Sequence, residues 1–165
     1  MGEPLVYVCR VETPDGSKDY ITLLPPETAF AQGLAPEAIV GVLLRPLGPG
    51  EAITPQVFAR NRPFVEFLHT VIARYAPQEP GCQAEAVRLG EGWVYIIDQR
   101  TPTPAEAVPP EDIIGAFEVK GGEVVPGSYR PNHRHLILSP RGFFRLNPGL
   151  HACLLRELRS RNAGG

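Results

Sequence analysis

Nineteen prolines and seventeen glycines among 165 residues constrain this chain more than any other feature of its sequence. Proline fixes φ and removes a main-chain donor, and glycine weakens the interior of helices and strands, so both mark ends and turns. Such punctuation predicts many short elements and a sheet-containing fold rather than a helical bundle. With 43% apolar residues the chain has enough material for one core. A single domain spanning 1–165 is therefore expected, and no internal repeat is evident.

Local patterns place the elements. Leu5 to Val11 alternates, TPDGS supplies turn chemistry at Thr13 to Ser17, and Tyr20 to Leu24 completes a predicted hairpin. Pro25 to Gly33 suits a short helix ended by Gly33, and Ala38 to Leu44 is an apolar run of strand length. Thr54-Pro55 offers an N-cap and a first-turn proline for one or two helical turns. Phe64, Phe67, Leu68, Val71, Ile72 and Tyr75 recur at helical spacing, predicting an amphipathic helix from about Arg62 to Ala76 between Asn61 and Pro77. His69, beside that stripe, reads as a packed or surface residue.

Gln83 to Leu89 is ambiguous: its Ala and Glu favour helix, but the Gly-Glu-Gly that follows resembles a hairpin turn, which tips the reading toward strand. Trp93 to Ile97 reads as a central strand. Ile113 to Val119 is predicted to pair with Glu123 to Val125 across Gly121-Gly122. A further hairpin is expected around Ser139 to Gly142, and a helix after Asn147-Pro148 that buries Leu150, Cys153, Leu154 and Leu158. The sum is an α+β fold: six to nine short strands in a twisted, mostly antiparallel sheet with two principal helices.

Charge is distributed unevenly. The net of −2 divides into about −8 over residues 1–123 and +6 over residues 124–165, where seven arginines face Glu157 alone. This end either docks on the acidic remainder of its own domain, or forms a solvated face, or meets an acidic partner (protein, nucleotide or nucleic acid), since arginine suits bidentate capture of carboxylates or phosphates; the expected function takes the partner reading. Tyr129, Arg130, His133, Arg134 and His135 are the candidate partner-binding residues, carried with Thr101 to Pro110 on proline-stiffened loops. Nucleic acid is disfavoured by the slightly negative total and by the lack of a basic-aromatic motif.

Other chemistry is thinly signalled. The opening MGEPLVYVCRVETP lacks a basic leader and an apolar core, and Val6 stands where an acylation signal needs Ser or Thr. No apolar run nears the roughly 20 residues that span a bilayer. Cys9, Cys82 and Cys153 are odd in number and widely spaced, so reduced structural thiols in the cytoplasm are expected, with no disulfide. Glu118-Val119-Lys120, with Asp98 upstream, matches part of a metal-dependent nuclease motif, but a Lys120–Glu123 cross-strand pair explains it more simply. His133 and His135 share a face in an extended segment yet lack an evident third ligand, so no metal is expected.

Three stretches appear in a telling order: Pro25-Pro26-Glu27 leading to Phe30 and Gly33, then Trp93-Val94-Tyr95-Ile96-Ile97, then VPPEDIIGAFEVKGG from Val108. This order resembles the C-terminal half of bacterial ADP-ribosyltransferase toxins. The resemblance implies a scaffold that splits NAD with an arginine, a Ser-Thr-Ser strand and a glutamate. Arg10 would stand in for the arginine, and Glu106 or Glu111 for the glutamate. The chain departs from the pattern at Leu24, where arginine is frequent. It has no Ser-Thr-Ser, and no E-x-E or Q-x-E precedes Val108. A site without its fixed carboxylate loses the group that stabilises an oxocarbenium-like ribose.

The sequence reading is thus a non-enzymatic binding protein without a cofactor. The alternative is a degenerate ADP-ribosyltransferase-like domain that binds or cleaves NAD in a cleft of Arg10, Asp98, Arg100 and Glu106. Asp98 and Arg100 equally suit a local ion pair at the start of the proline-rich link.

Overall fold

The computed structural model describes residues 6–101 and 108–163. In chain order the strands and α-helices are β1 (Tyr7–Thr13), β2 (Gly16–Thr22), α1 (Pro26–Gln32), β3 (Ile39–Leu43), β4 (Phe58–Arg60), α2 (Arg62–Tyr75), α3 (Pro80–Leu89), β5 (Gly92–Ile97), β6 (Ile113–Lys120), β7 (Glu123–Val124), β8 (Arg130–Pro131), β9 (Leu138–Ser139), β10 (Gly142–Phe143) and α4 (Pro148–Ala163). The fold is α+β, with antiparallel pairing throughout. The strands form three sheets rather than one.

Two compact units divide the chain. The first comprises Met1–Leu68, Ile137–Phe143 and Leu154–Gly165, and the second His69–Leu136 and Phe144–Cys153. In the first, β1-β2-β3-β4 form one sheet and β9-β10 a separate hairpin. Its core includes Ile21, Leu24, Val40, Phe64, Leu68, Leu154 and Leu158, all fully buried. In the second, β6 is central, pairing β5 along one edge and β7 and β8 along the other. Val94, Ile114, Phe117 and Val119 are buried there, with Ile72, Cys82, Ala86 and Leu150 from the helices.

Local chemistry accounts for the element ends. Pro148 opens α4, and the Asn147 side chain accepts from the Leu150 N–H at 2.8 Å, filling one orphan donor of the first turn. Gly121 and Gly122, both at positive φ, close the β6–β7 hairpin so that Lys120 faces Glu123.

Residues 80–89 are helical, which corrects the strand reading of Gln83 to Leu89. Pro80 is pre-set for a first turn, and Gly90, at φ 73°, donates back to the Ala86 carbonyl as a C-cap. The Gly-Glu-Gly is therefore a helix stop followed by a strand start, not a hairpin turn.

An unexpected repetition links the units. Tyr20, Ile21 and Thr22 pair with Val42, Gly41 and Ile39, with a bulge after Ile21. In the second unit Tyr95, Ile96 and Ile97 pair with Ala116, Gly115 and Ile113, with a bulge after Ile96. On the opposite edges Gly41 faces Arg60 and Gly115 faces Pro131.

A proline-led 3₁₀ turn, Pro36–Ala38 or Pro110–Asp112, precedes each central strand. An asparagine closes each module. Asn61 donates its N–H to the Val40 carbonyl at 2.9 Å and its amide to Pro36 and Ile39, both at 2.8 Å. Asn132 does the same to Ile114 at 2.9 Å, Pro110 at 2.8 Å and Ile113 at 2.7 Å.

The central glycine serves the same purpose twice. A Cβ on Gly41 would collide with the Phe58 ring, and one on Gly115 with the Tyr129 ring. An aromatic side chain thus lies directly on the bare strand in each module.

Candidate functional site

Behind β6 the second unit holds a buried charge network. Ile97 ends β5, and the chain turns so that Asp98 Oδ1 accepts the main-chain N–H groups of Arg100 and Arg145, each at 3.0 Å. Oδ2 accepts from Arg100 Nη2 and from His135 Nε2, each at 2.9 Å. The Nε2 proton must therefore reside on His135, because a carboxylate can only accept.

Arg100 continues to the Leu136 carbonyl at 2.6 Å, and its Nε lies 3.6 Å from Asp112 Oδ1. Thr101 Oγ1 donates to the other Asp112 oxygen at 2.6 Å. Burial opposes ionisation of Asp98, but the His135 hydrogen bond and then the Arg100 main-chain and guanidinium donors outweigh it, holding the carboxyl below its usual range. The Asp98, Arg100 and His135 side chains have at most 2% of their surface exposed, so this acid–imidazole pair is buried away from solvent. What the network does is pin the start of the proline-rich link, as the local pairing of Asp98 with Arg100 foreshadowed.

The exposed face of the same unit carries a groove of about 270 Å³. Tyr95, Ile113 and Pro131 give it apolar walls, and Arg130 and Arg134 stand at it with exposed side chains. Arg130 lies 5.5 Å from the centroid of the Trp93 ring. Neither arginine has a carboxylate partner among the described residues.

Tyr129 positions this edge rather than offering itself to a partner. Its ring packs 5.0 Å from that of Phe117, and its hydroxyl meets His69 Nδ1 at 2.6 Å. Burial raises the phenol's pKa and, with lesser contributions from His135 and His133, lowers that of His69 to about 4. At neutral pH the imidazole is therefore neutral and the phenol keeps its proton, the direction of their hydrogen bond following the ring's tautomer.

The remaining candidates divide between the units. Arg10 belongs to the first unit, where Nε and Nη2 bind Asp19 at 2.8 and 3.1 Å. Asp98, Arg100 and His135 converge in the buried network, while His133 is exposed. Glu111 is half-buried and accepts, through its carbonyl, from the Leu136 N–H at 3.2 Å. Glu106 and the central part of the Thr101 to Pro110 loop lie outside the described residues.

Lys120 Nζ stands 3.7 Å from Glu118 on its own strand, so the E-x-K pair neutralises itself. The tail's arginines divide between the units: Arg130, Arg134 and Arg145 belong to the second, and Arg141, Arg156, Arg159 and Arg161 to the first, where Arg161 pairs with Glu37 and lies over Phe67. Among the described residues no three His, Cys, Asp or Glu side chains are placed to hold a metal ion, and no helix is long and apolar enough to cross a membrane.

Sequence reasoning missed His69, whose partner lies 60 residues away, and the burial of His135. A usable signal for the module did exist: Pro-Glu-x-Ile-x-Gly occurs at 36–41 and again at 110–115. No family model, curated protein or solved structure matches this chain.

Proposed function

We propose that the chain is a binding module that takes an acidic segment of a partner protein in the groove between Arg130 and Arg134. The observation that carries this reading is the pairing of two exposed guanidinium groups, without carboxylate partners among the described residues, at one apolar-walled depression. Guanidinium groups bind carboxylates bidentately, and Tyr95, Ile113 and Pro131 supply contact area at low ordering cost. Burial of the Asp98–His135 pair favours binding over acid–base catalysis at this end of the unit.

Titration of a fluorescein-labelled peptide of alternating Glu and Tyr, followed by anisotropy, tests the reading. Saturable binding is expected, weakened at least tenfold in the Arg130→Glu/Arg134→Glu variant and by raising salt from 50 to about 300 mM. The melting temperature of that variant should be unchanged. Binding that survives the double reversal would overturn the assignment.

A further inference from the structure

The two units differ at one edge of their shared module. In the first, β2 has β3 on one side and β1 on the other, with β1 paired antiparallel from Tyr7 opposite Thr22 to Thr13 opposite Gly16. In the second, β5 takes the place of β2: Val94, Tyr95, Ile96 and Ile97 correspond in register to Asp19, Tyr20, Ile21 and Thr22. Among the described residues β5 pairs with β6 alone.

Along that outer edge runs a cavity of about 270 Å³, lined by all four consecutive residues Val94 to Ile97. Successive side chains of a strand point to opposite faces, so a cavity touching every residue in turn reaches the main-chain edge; Ile114 of β6 also lines it, so it extends from that edge across the sheet. Its far walls include Leu146 and Leu150, and its charged lining consists of Glu79 and Glu85. The edge closes just beyond Ile97, where the Gln99 N–H donates to the Arg145 carbonyl at 2.7 Å.

We infer that the outer edge of β5 is a docking site for an extended segment of a partner protein, which adds to the sheet as an antiparallel strand. The first unit shows that this module accepts such a strand, since β1 occupies the equivalent edge. It also indicates the chemistry. β1 alternates half-buried Tyr7, Cys9 and Val11 with exposed Val8, Arg10 and Glu12, so alternate apolar residues are expected in the partner. Glu79 calls for a basic side chain among them; Glu85 is already paired with Arg88 on its own helix, its Oε1 accepting from Arg88 Nε at 2.9 Å. Main-chain pairing supplies affinity and the alternate side chains specificity. This inference rests on the register and the cavity, and not on the arginine groove.

The test uses the full chain and a peptide with the β1 sequence, Ser replacing its cysteine. Binding is followed by hydrogen exchange and by fluorescence. The expected result is saturable binding with slower exchange at residues 94–97.

N-methylation of one alternate set of peptide residues should abolish binding, while methylation of the other set should leave it intact, because an edge strand uses every second N–H. Glu79→Lys should weaken binding at least fivefold, and Arg130→Glu/Arg134→Glu should not change it. Absence of binding at millimolar peptide, or equal sensitivity to both methylation sets, would overturn the proposal. Protection of 94–97 without peptide, rising with protein concentration, would overturn the partner in favour of a second copy of this chain.

Discussion

Ile39–Asn61 and Ile113–Asn132 build the same module around different interiors. Both have a proline-led turn, a bulged strand pairing, an aromatic ring on a glycine and an asparagine bridging two carbonyls. The residues just outside the last strand pair, however, are Leu23 and Ala38 in the first unit and Asp98 and Asp112 in the second, all buried. The main-chain pairing therefore does not depend on what fills this position. An apolar filling needs only contact, whereas the acidic one had to recruit Arg100, Thr101 and His135, and in doing so fixes the chain on both sides of the arginine groove.

This comparison can be broken most forcefully at Asp98. Asp98→Ala leaves buried cationic and imidazole groups without their acceptor, and should cost about 3–5 kcal/mol in urea unfolding. Importing the first unit's chemistry with Asp98→Leu, Arg100→Leu, Asp112→Ala and His135→Leu together should cost less than that single change. A quadruple variant less stable than Asp98→Ala would show that the network cannot be exchanged for an apolar filling.

Next come the glycines. Gly41→Ala and Gly115→Ala should each destabilise by about 1–3 kcal/mol through overpacking. Gly41 should lie at the upper end, because its Cβ also meets the Ala59 main-chain carbonyl, whereas at Gly115 the nearest atoms belong to the Tyr129 ring. Equal urea midpoints for the two would remove that distinction.

The asparagines should behave alike. Asn61→Ala and Asn132→Ala each remove two side-chain hydrogen bonds, at a cost of about 2 kcal/mol. Measured losses that differ by more than about 1 kcal/mol would show that the two modules are not energetically equivalent.

The smallest effect is a pH dependence confined to the second unit. Phe58, at the position of Tyr129, has no hydroxyl and no histidine bond. His69 has its folded pKa depressed from 6.5 to about 4, so the unfolded chain binds the proton more readily. Its contribution is present above pH 6.5 and lost as pH falls toward 4. The thermal midpoint should fall on acidification from pH 7 to 5, and less so in His69→Gln. Asp98, also depressed, loses its contribution only as pH falls below its ordinary value of 3.8, so this window separates the two. Identical acid sensitivity in His69→Gln and the parent chain would exclude His69 as the source.

Much of the secondary structure was legible because its causes are local. The stripe from Phe64 to Tyr75, the Asn147-Pro148 start and the Gly121-Gly122 hairpin each act within one or two turns of chain. Residues 80–89 were misread because Gly90 and Gly92 serve a helix end and a strand start, and nothing within the tripeptide separates that use from a hairpin. The candidate site was less legible. His135 is followed by exposed Leu136 and preceded by exposed Arg134, a pattern of solvated chain, and its acceptor lies 37 residues away at Asp98.

The sequence alone therefore determined where most elements outside residues 80–89 begin and end, the α+β class, and the arginine-rich character of the tail, because caps, periodicity and turn glycines are properties of neighbouring residues. Tertiary structure decided which charges are spent. It gave Arg10 to Asp19, buried Arg100 among Asp98, Asp112 and His135, and left Arg130 and Arg134 at a groove. It also produced the repeated register and the edge of β5, since strand order and pairing are set by contacts between residues tens of positions apart.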